Sequence, residues 1–445
     1  MRNNDANVLF SNEIRSYLYG GLVVSAILGI GLLVNSNVEP LVLFWQIGSM
    51  FAFLMSIGIV RSLSIGKAIG YIVIYQMVLS FLLNEIFFSS MLSRSYDFNP
   101  VDAILYKKII ARAFIKPYDQ IFANTTHFLA ELSDQGFPFV LGSIYRLTNG
   151  DIGLTKSILV IINLLSQAGA LFFTYQIGKR TNLSHSQIMW GIALWGLNSA
   201  SIYFNVVMLK EPIFLFLCMG TIYFIYRVRE AKTVMLWHVL TIFFILLTWF
   251  FRYYMSLFFI IVYIAYCHFP HLYVRFFSVF CIAAIVICLV TPGILGMYMD
   301  EIAFINKSND LYFENKSWLF KVTSAPITLW GPIPRFNSIE YLSEQFLLTF
   351  SVPKFFMSSL AVYGAFKAIQ NKKSELYPLI SITLFTALLL VVSHHMLDYR
   401  YAYIVMPCTY ILIVFGATFK SKWLYPTTIV IASLAMILYN LQIHK

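Results

Sequence analysis

The chain has 445 residues, of which 59% are hydrophobic and only 11% charged, with a formal net charge of +11. A soluble domain carries nearer a quarter charged residues, and runs of about 20 apolar residues, the length that crosses a bilayer, recur along the chain. The composition excludes a soluble fold and predicts an all-α, polytopic integral membrane helical bundle.

The N-terminus, MRNNDANVLFSNEIRS, is polar and has no small-residue cleavage site. No cleavable signal is expected, and the first span is expected to act as the insertion signal. Apolar windows then predict about thirteen transmembrane helices. They fall at 17–34, 40–60, 67–90, 155–178, 188–207, 212–227, 234–251, 253–268, 275–294, 352–369, 376–393, 402–418 and 423–441. The 41 Phe and 28 Tyr suit such a bundle, with aromatic belts at its interfaces. The whole chain, 1–445, reads as a single transmembrane domain with two long loops at about 91–154 and 295–351.

Alternate connections are basic. They carry Arg61 and Lys67; Lys179 and Arg180; Arg227, Arg229 and Lys232; Arg275; Lys367, Lys372 and Lys373; and Lys420 and Lys422. The acids among them are Glu230 and Glu375. By the positive-inside rule these turns face the cytoplasm, as does the N-terminus. Both long loops then lie outside, where they are expected to carry interfacial helices. The positive charge reports topology, and nucleic acid is not an expected partner.

Six stretches on the predicted outer side carry charge. In SYDFNPVDAILYKKIIARAF (95–114), Pro100 and Asp102 open a helix that continues through Tyr106 to Lys107, Lys108 and Arg112. Its apolar stripe would lie flat on the membrane with the basic residues near headgroups. Asp102 also fits a plain helix-start acid. In ELSDQGFPFVLGSIYRLTNGD (131–151), a break at Asp134 precedes an apolar stretch too short to span. It either dips into the protein, where it must be buried, or lies as a second interfacial helix. VVMLKEPIFLF sets Lys210 and Glu211 between two spans with no polar cushion, which marks either a functional pair or a tight turn with snorkelling charges. TWFFRYYMS holds Arg252, read as a fork for phosphate or as an interfacial anchor. Arg335 follows a Gly-Pro-x-Pro bend, where a structural role fits as well. SHHMLDYRYAYIVMP gathers His394, His395, Asp398 and Arg400 at a span boundary. One short stretch does not supply a metal's ligand set, so no metal is expected.

No phosphate-binding glycine loop, dinucleotide fingerprint, nucleophile elbow or zinc-protease motif occurs. No cofactor is expected. Cys218, Cys267, Cys281, Cys288 and Cys408 show no zinc or disulfide spacing. A reaction on the outer face then needs a substrate that arrives activated, as a lipid-linked phosphate does.

Taken in order, these residues resemble the GT-C superfamily of membrane glycosyltransferases. NPVDAILYKKIIARAF is similar to its first-loop segment, an outer aspartate followed four residues later by a tyrosine, here Asp102 and Tyr106. DQGFPFVLGSIYRLTNGDIGLTKSILVIINLL resembles the stretch that follows, and DYRYAYIVMP the late Arg-Tyr-to-Pro element. LKEP and GPIPRF resemble bacterial surface-polysaccharide polymerases of the O-antigen type. The chain departs from the family in placing this loop after the third span, and in having Asp102-Ala103 where an acidic pair is usual.

The resemblance implies transfer of a sugar from an undecaprenyl phosphate or diphosphate carrier at the outer face of a bacterial inner membrane. Asp102, with Asp134 second, would be the general base. Lys210, Arg252 and Arg400, and more weakly Arg335, would bind phosphate. The implied partners are the lipid-linked saccharide, membrane lipid, and a chain-length regulator or other polysaccharide-assembly proteins. A single-sugar transferase and a lipid-linked oligosaccharide flippase are the alternatives.

Overall fold

The computed structural model describes residues 12–24, 26–27, 40–83, 136–231, 233–270, 272–273, 275, 347–393, 399–419 and 421–442. Among them every regular element is helical, in keeping with the all-α expectation. After α1 (12–24) come α2 (Pro40–Ser62), α3 (Ile65–Leu82), α4 (Gly136–Leu147) and α5 (Ile152–Arg180). Then follow α6 (His185–Gly196), α7 (Ser199–Val206), α8 (Glu211–Glu230), α9 (Met235–Phe251) and α10 (Tyr253–His268). The last are α11 (Leu348–Gln370), α12 (Tyr377–Ser393), α13 (Tyr399–Ile404), α14 (Met406–Gly416) and α15 (Leu424–Gln442). Three of these, α3, α5 and α8, are long and apolar enough to cross a membrane. Residues 276–294 of the predicted span at 275–294 lie outside the described residues.

The chain forms two compact units. One comprises Gly29–Tyr263 and Arg335–Phe350, and the other Met1–Leu28, Ile264–Pro334 and Ser351–Lys445.

In the first of these, which holds α2–α9, local chemistry sets the helix ends. A turn with Asn149 and Gly150 at φ 52° and 85° separates α4 from α5. Asp151 then caps α5, accepting the Leu154 N–H at 3.0 Å. Ser184 and Gln187 form a capping box at the start of α6. The basic residues Lys179, Arg180, Arg227 and Arg229 sit in the last turns of α5 and α8, where the helix dipole favours cations.

Helices α5 and α8 run parallel and close. Gly169 faces the ring of Phe216, and Gly220 faces Phe173 and Phe244, with no room for a Cβ at either glycine. Such small-residue contacts let helix backbones approach where lipid supplies no hydrophobic drive. At the far ends Arg180 pairs with Glu230 at 2.9 Å. Arg227 also reaches Glu230 at 3.1 Å and lies 4.3 Å over the Trp237 ring of α9. Arg61, closing α2, lies 4.1 Å over Trp190 of α6. Basic residues from three predicted cytoplasmic turns thus gather at one end of this unit.

Two predicted spans are broken. The 188–207 stretch divides into α6 and α7 at Leu197-Asn198, because Asn198 leaves the helix to cap α7, accepting the Ser201 N–H. The 402–418 stretch divides into α13 and α14 at Val405, two residues before Pro407, whose missing N–H cannot close a helical turn.

In the other unit, α11 and α14 cross through Gly364 and Gly416. A Cβ on Gly416 would strike the Leu360 carbonyl, and one on Gly364 the Leu412 carbonyl. Gly20 and Gly21 of α1 seat against Tyr425 of α15 and Phe356 of α11. Tyr273 donates to Ser381 of α12 at 2.8 Å.

Candidate functional site

The ends of α6 and α7 leave backbone carbonyls that no intrahelical donor reaches, and at the break itself Asn198 Nδ2 donates to those of Leu194 and Trp195. Inside a membrane such groups must find partners within the protein. Side chains of α3 and α5 supply further donors to α6 and α7. Gln76 donates to the Gly196 carbonyl at 2.7 Å. Asn163 donates to the carbonyls of Phe204 at 3.4 Å and Asn205 at 3.2 Å. Gln167 donates to the Ser201 carbonyl and to Asn205 Oδ1, both at 2.8 Å. Asn163 and Gln167 lie one turn apart on α5, so both amides face the same side of that helix. All three of Asn163, Gln167 and Asn205 are fully buried.

These amides neighbour the charged turn. The register that sets Gly169 against Phe216 and Arg180 against Glu230 runs back along both parallel helices. It brings Asn163 level with Glu211, at the start of α8. Lys210 is the residue before the helix, and its carbonyl accepts the Phe214 N–H at 2.9 Å. Lys210 is 7% exposed and Glu211 1%. Both are inside the protein, which removes the reading of a surface turn with snorkelling charges.

Arg252 joins them through Phe214, one turn into α8. It is the extended residue between α9 and α10, with φ −160° and ψ 102°. Its guanidinium bonds the Tyr254 hydroxyl and lies 5.9 Å from the Phe214 ring centre. Phe214 stacks on Phe251 at 6.3 Å. The first residue of α4, Gly136, packs against the Phe250 carbonyl and the Phe251 ring, where a Cβ would come within 2.9 Å. Phe137 and Leu141 are buried beside it. Helix α4 has twelve residues, too few to span, and turns a buried face to α5 and α9.

The site therefore sets buried Lys210 and Glu211, half-buried Arg252 and the amide cluster at the same end of α8, away from Arg227 and Glu230. No protein-family model, curated protein or solved structure matches this chain. The chemistry must be read from the arrangement itself. It offers two cations and a carboxylate in surroundings of low polarity, where charge–charge interactions are stronger than in water.

Asp102, Tyr106, Asp134, Arg335, His394, His395 and Asp398 lie outside the described residues. Arg400 is half-buried in α13, in the other unit. Among the described residues no group of three or more His, Cys, Asp or Glu could hold a metal.

Two features escaped the hydropathy reading. One is the amide set, whose only trace in the sequence is Asn163 and Gln167 spaced by four within an apolar run. The other is Lys354, 2% exposed on α11, in a polar row with buried Ser351 and Ser358. Ser358 donates to the Lys354 carbonyl at 2.6 Å.

Proposed function

We propose that the protein is a membrane glycosyltransferase of the bacterial inner membrane, joining undecaprenyl-(di)phosphate-linked saccharides at the outer face as a surface-polysaccharide (O-antigen) polymerase. The observation that carries this reading is that buried Lys210 and Glu211 and half-buried Arg252 lie at the same end of their unit, opposite the basic turns. With those basic turns cytoplasmic, the N-terminus is cytoplasmic and about thirteen helices cross the membrane, as the hydropathy predicts.

In this reaction a carboxylate takes the proton from an acceptor hydroxyl. The freed oxygen bonds to the anomeric carbon of the donor sugar. The bond from that carbon to the phosphate oxygen breaks, and its electron pair leaves with the lipid diphosphate. Lys210 and Arg252 stabilise the charge that develops there, the arginine with a planar two-donor fork. Asp102 is the proposed base on the resemblance. Asp134 precedes Gly136 by two residues, and Glu211 lies beside Lys210, which makes them the next two carboxylates to test.

Deletion of the protein in its host, followed by sizing of the surface polysaccharide, tests the reading. Loss of long chains with a single repeat unit still attached, and accumulation of the lipid-linked repeat, is expected. Loss of every repeat would indicate export and overturn it. Unchanged length with one altered sugar would assign a single-sugar transferase instead. Asp102→Asn is expected to reproduce the deletion, and normal chain lengths would remove Asp102 as base. A cysteine at 102 that labels only from the cytoplasm would refute the sidedness.

A further inference from the structure

We infer that Asn163, Gln167 and Asn205 form the subsite that receives hydroxyl groups of the saccharide, within the protein beside Lys210 and Glu211. The inference rests on the proposed reaction for the identity of its ligand, and on the amides for its geometry.

Each of these side chains has one half committed to structure and one half unused. The amide orientations follow from their partners. Asn163 and Gln167 face backbone carbonyls, which accept only, so their nitrogens must point there. Asn205 faces the Gln167 nitrogen, so its oxygen must point there. What remains is Asn163 Oδ1, Gln167 Oε1 and Asn205 Nδ2. All three atoms are buried and make no hydrogen bond among the described residues.

Buried polar atoms are nearly always paired, and each exception needs a reason. Three exceptions in one cluster, on residues with no exposed surface, form a pattern of two acceptors and one donor. Holding α7 needs only the committed halves, and a hydroxyl-bearing side chain such as Ser80, which donates to the Ile202 carbonyl at 3.4 Å, bonds it with a smaller residue. A hydroxyl both donates and accepts, so two hydroxyls of a sugar ring satisfy all three amide atoms. A phosphate is all acceptor and would meet the two amide oxygens unfavourably. The cluster thus suits the sugar and the neighbouring cations suit the phosphate. Asn163 lies level with Glu211, so the two halves of a sugar phosphate have partners at one depth.

The test uses full-length protein in phosphatidylcholine nanodiscs. Its probe is the lipid-linked saccharide that accumulates in the deletion host, set against the same polyprenyl diphosphate without sugar. Asn205→Asp keeps the oxygen that accepts from Gln167 and replaces only the unused donor. Asn205→Ser removes that amide donor without adding an acid, and with it the oxygen that accepts from Gln167, a structural loss that both probes share. Both variants are expected to bind the saccharide-bearing lipid about tenfold more weakly, one hydrogen bond's worth. Both are expected to bind the bare lipid within twofold of wild type.

Equal losses for both probes, or no loss for either, would overturn the subsite while leaving the proposed reaction standing. Wild-type protein that gains equally from the bare lipid, or from phosphatidylglycerol with its free headgroup hydroxyls, would also overturn it. Absence of any accumulated lipid-linked saccharide in the deletion host would fail the proposed reaction, and the subsite with it, before a variant is made.

Discussion

Replacing Gln167 by leucine asks how much the buried amides hold in place. Gln167 Nε2 makes two bonds of 2.8 Å, to the Ser201 carbonyl and to Asn205 Oδ1. The Ser201 carbonyl lies inside α7 and keeps the helical donor four residues on. It loses a second bond, and interhelical hydrogen bonds in membranes average about 0.6 kcal/mol. Asn205 Oδ1 loses the one donor it has among the described residues, and an orphaned buried acceptor costs about 1–3 kcal/mol. Leucine also removes the unbonded Oε1 of Gln167, which offsets part of the loss. The expected net destabilisation is about 2 kcal/mol, read as a shift in equilibrium unfolding by SDS in mixed micelles. A cycle with Asn205→Leu should show coupling of about 1 kcal/mol, since each change removes the other's partner. A loss under about 0.5 kcal/mol, or strict additivity, would refute the view that these amides secure the end of α7.

Gly416→Ala tests the crossing of α11 and α14. Its Cβ would strike the Leu360 carbonyl, which is backbone and cannot rotate away, so a loss of about 1–3 kcal/mol is expected in thermal unfolding of the detergent-solubilised protein. An unchanged midpoint would place the helices farther apart. Arg252→Lys keeps the charge but not the planar fork, and should cut polymer yield at least tenfold at normal expression, whereas wild-type chain lengths would remove Arg252 from phosphate binding. Glu230→Gln breaks both ion pairs at the basic end, yet Glu230 is 43% exposed, so the change should cost under about 1 kcal/mol and fade with added salt.

Long apolar runs made α2, α5, α8 and α9 legible within a few residues, because a spanning helix must bury or hide every side chain over about 20 positions. Hydropathy averages over such a window, which is why it read through the breaks at Asn198 and Val405. Each break turns on one residue, an asparagine that caps or a proline that lacks an N–H, inside a run that stays apolar throughout. The charged turn at Lys210-Glu211 was visible for the opposite reason, since ionisable residues between two spans stand out. Its depth was not visible, because burial there comes from α5 and α7 packing around it, a tertiary fact with no local signature. The amides were hidden for the same reason. An Asn and a Gln four residues apart in an apolar helix mark a polar face, but only the partner's broken helix says what that face is for.

The order of the chain matters to how the break between α6 and α7 can be made. Helix α7 has eight residues, about 12 Å of rise, and its last carbonyls at Phe204 and Asn205 accept from Asn163 of α5, while the Gly196 carbonyl at the end of α6 accepts from Gln76 of α3. Neither piece could enter lipid alone without exposing those carbonyls to hydrocarbon. Both helices that supply the caps precede them in the chain. During synthesis, the donors are thus in the membrane before the acceptors emerge, and the short segments can leave the translocon directly into waiting partners.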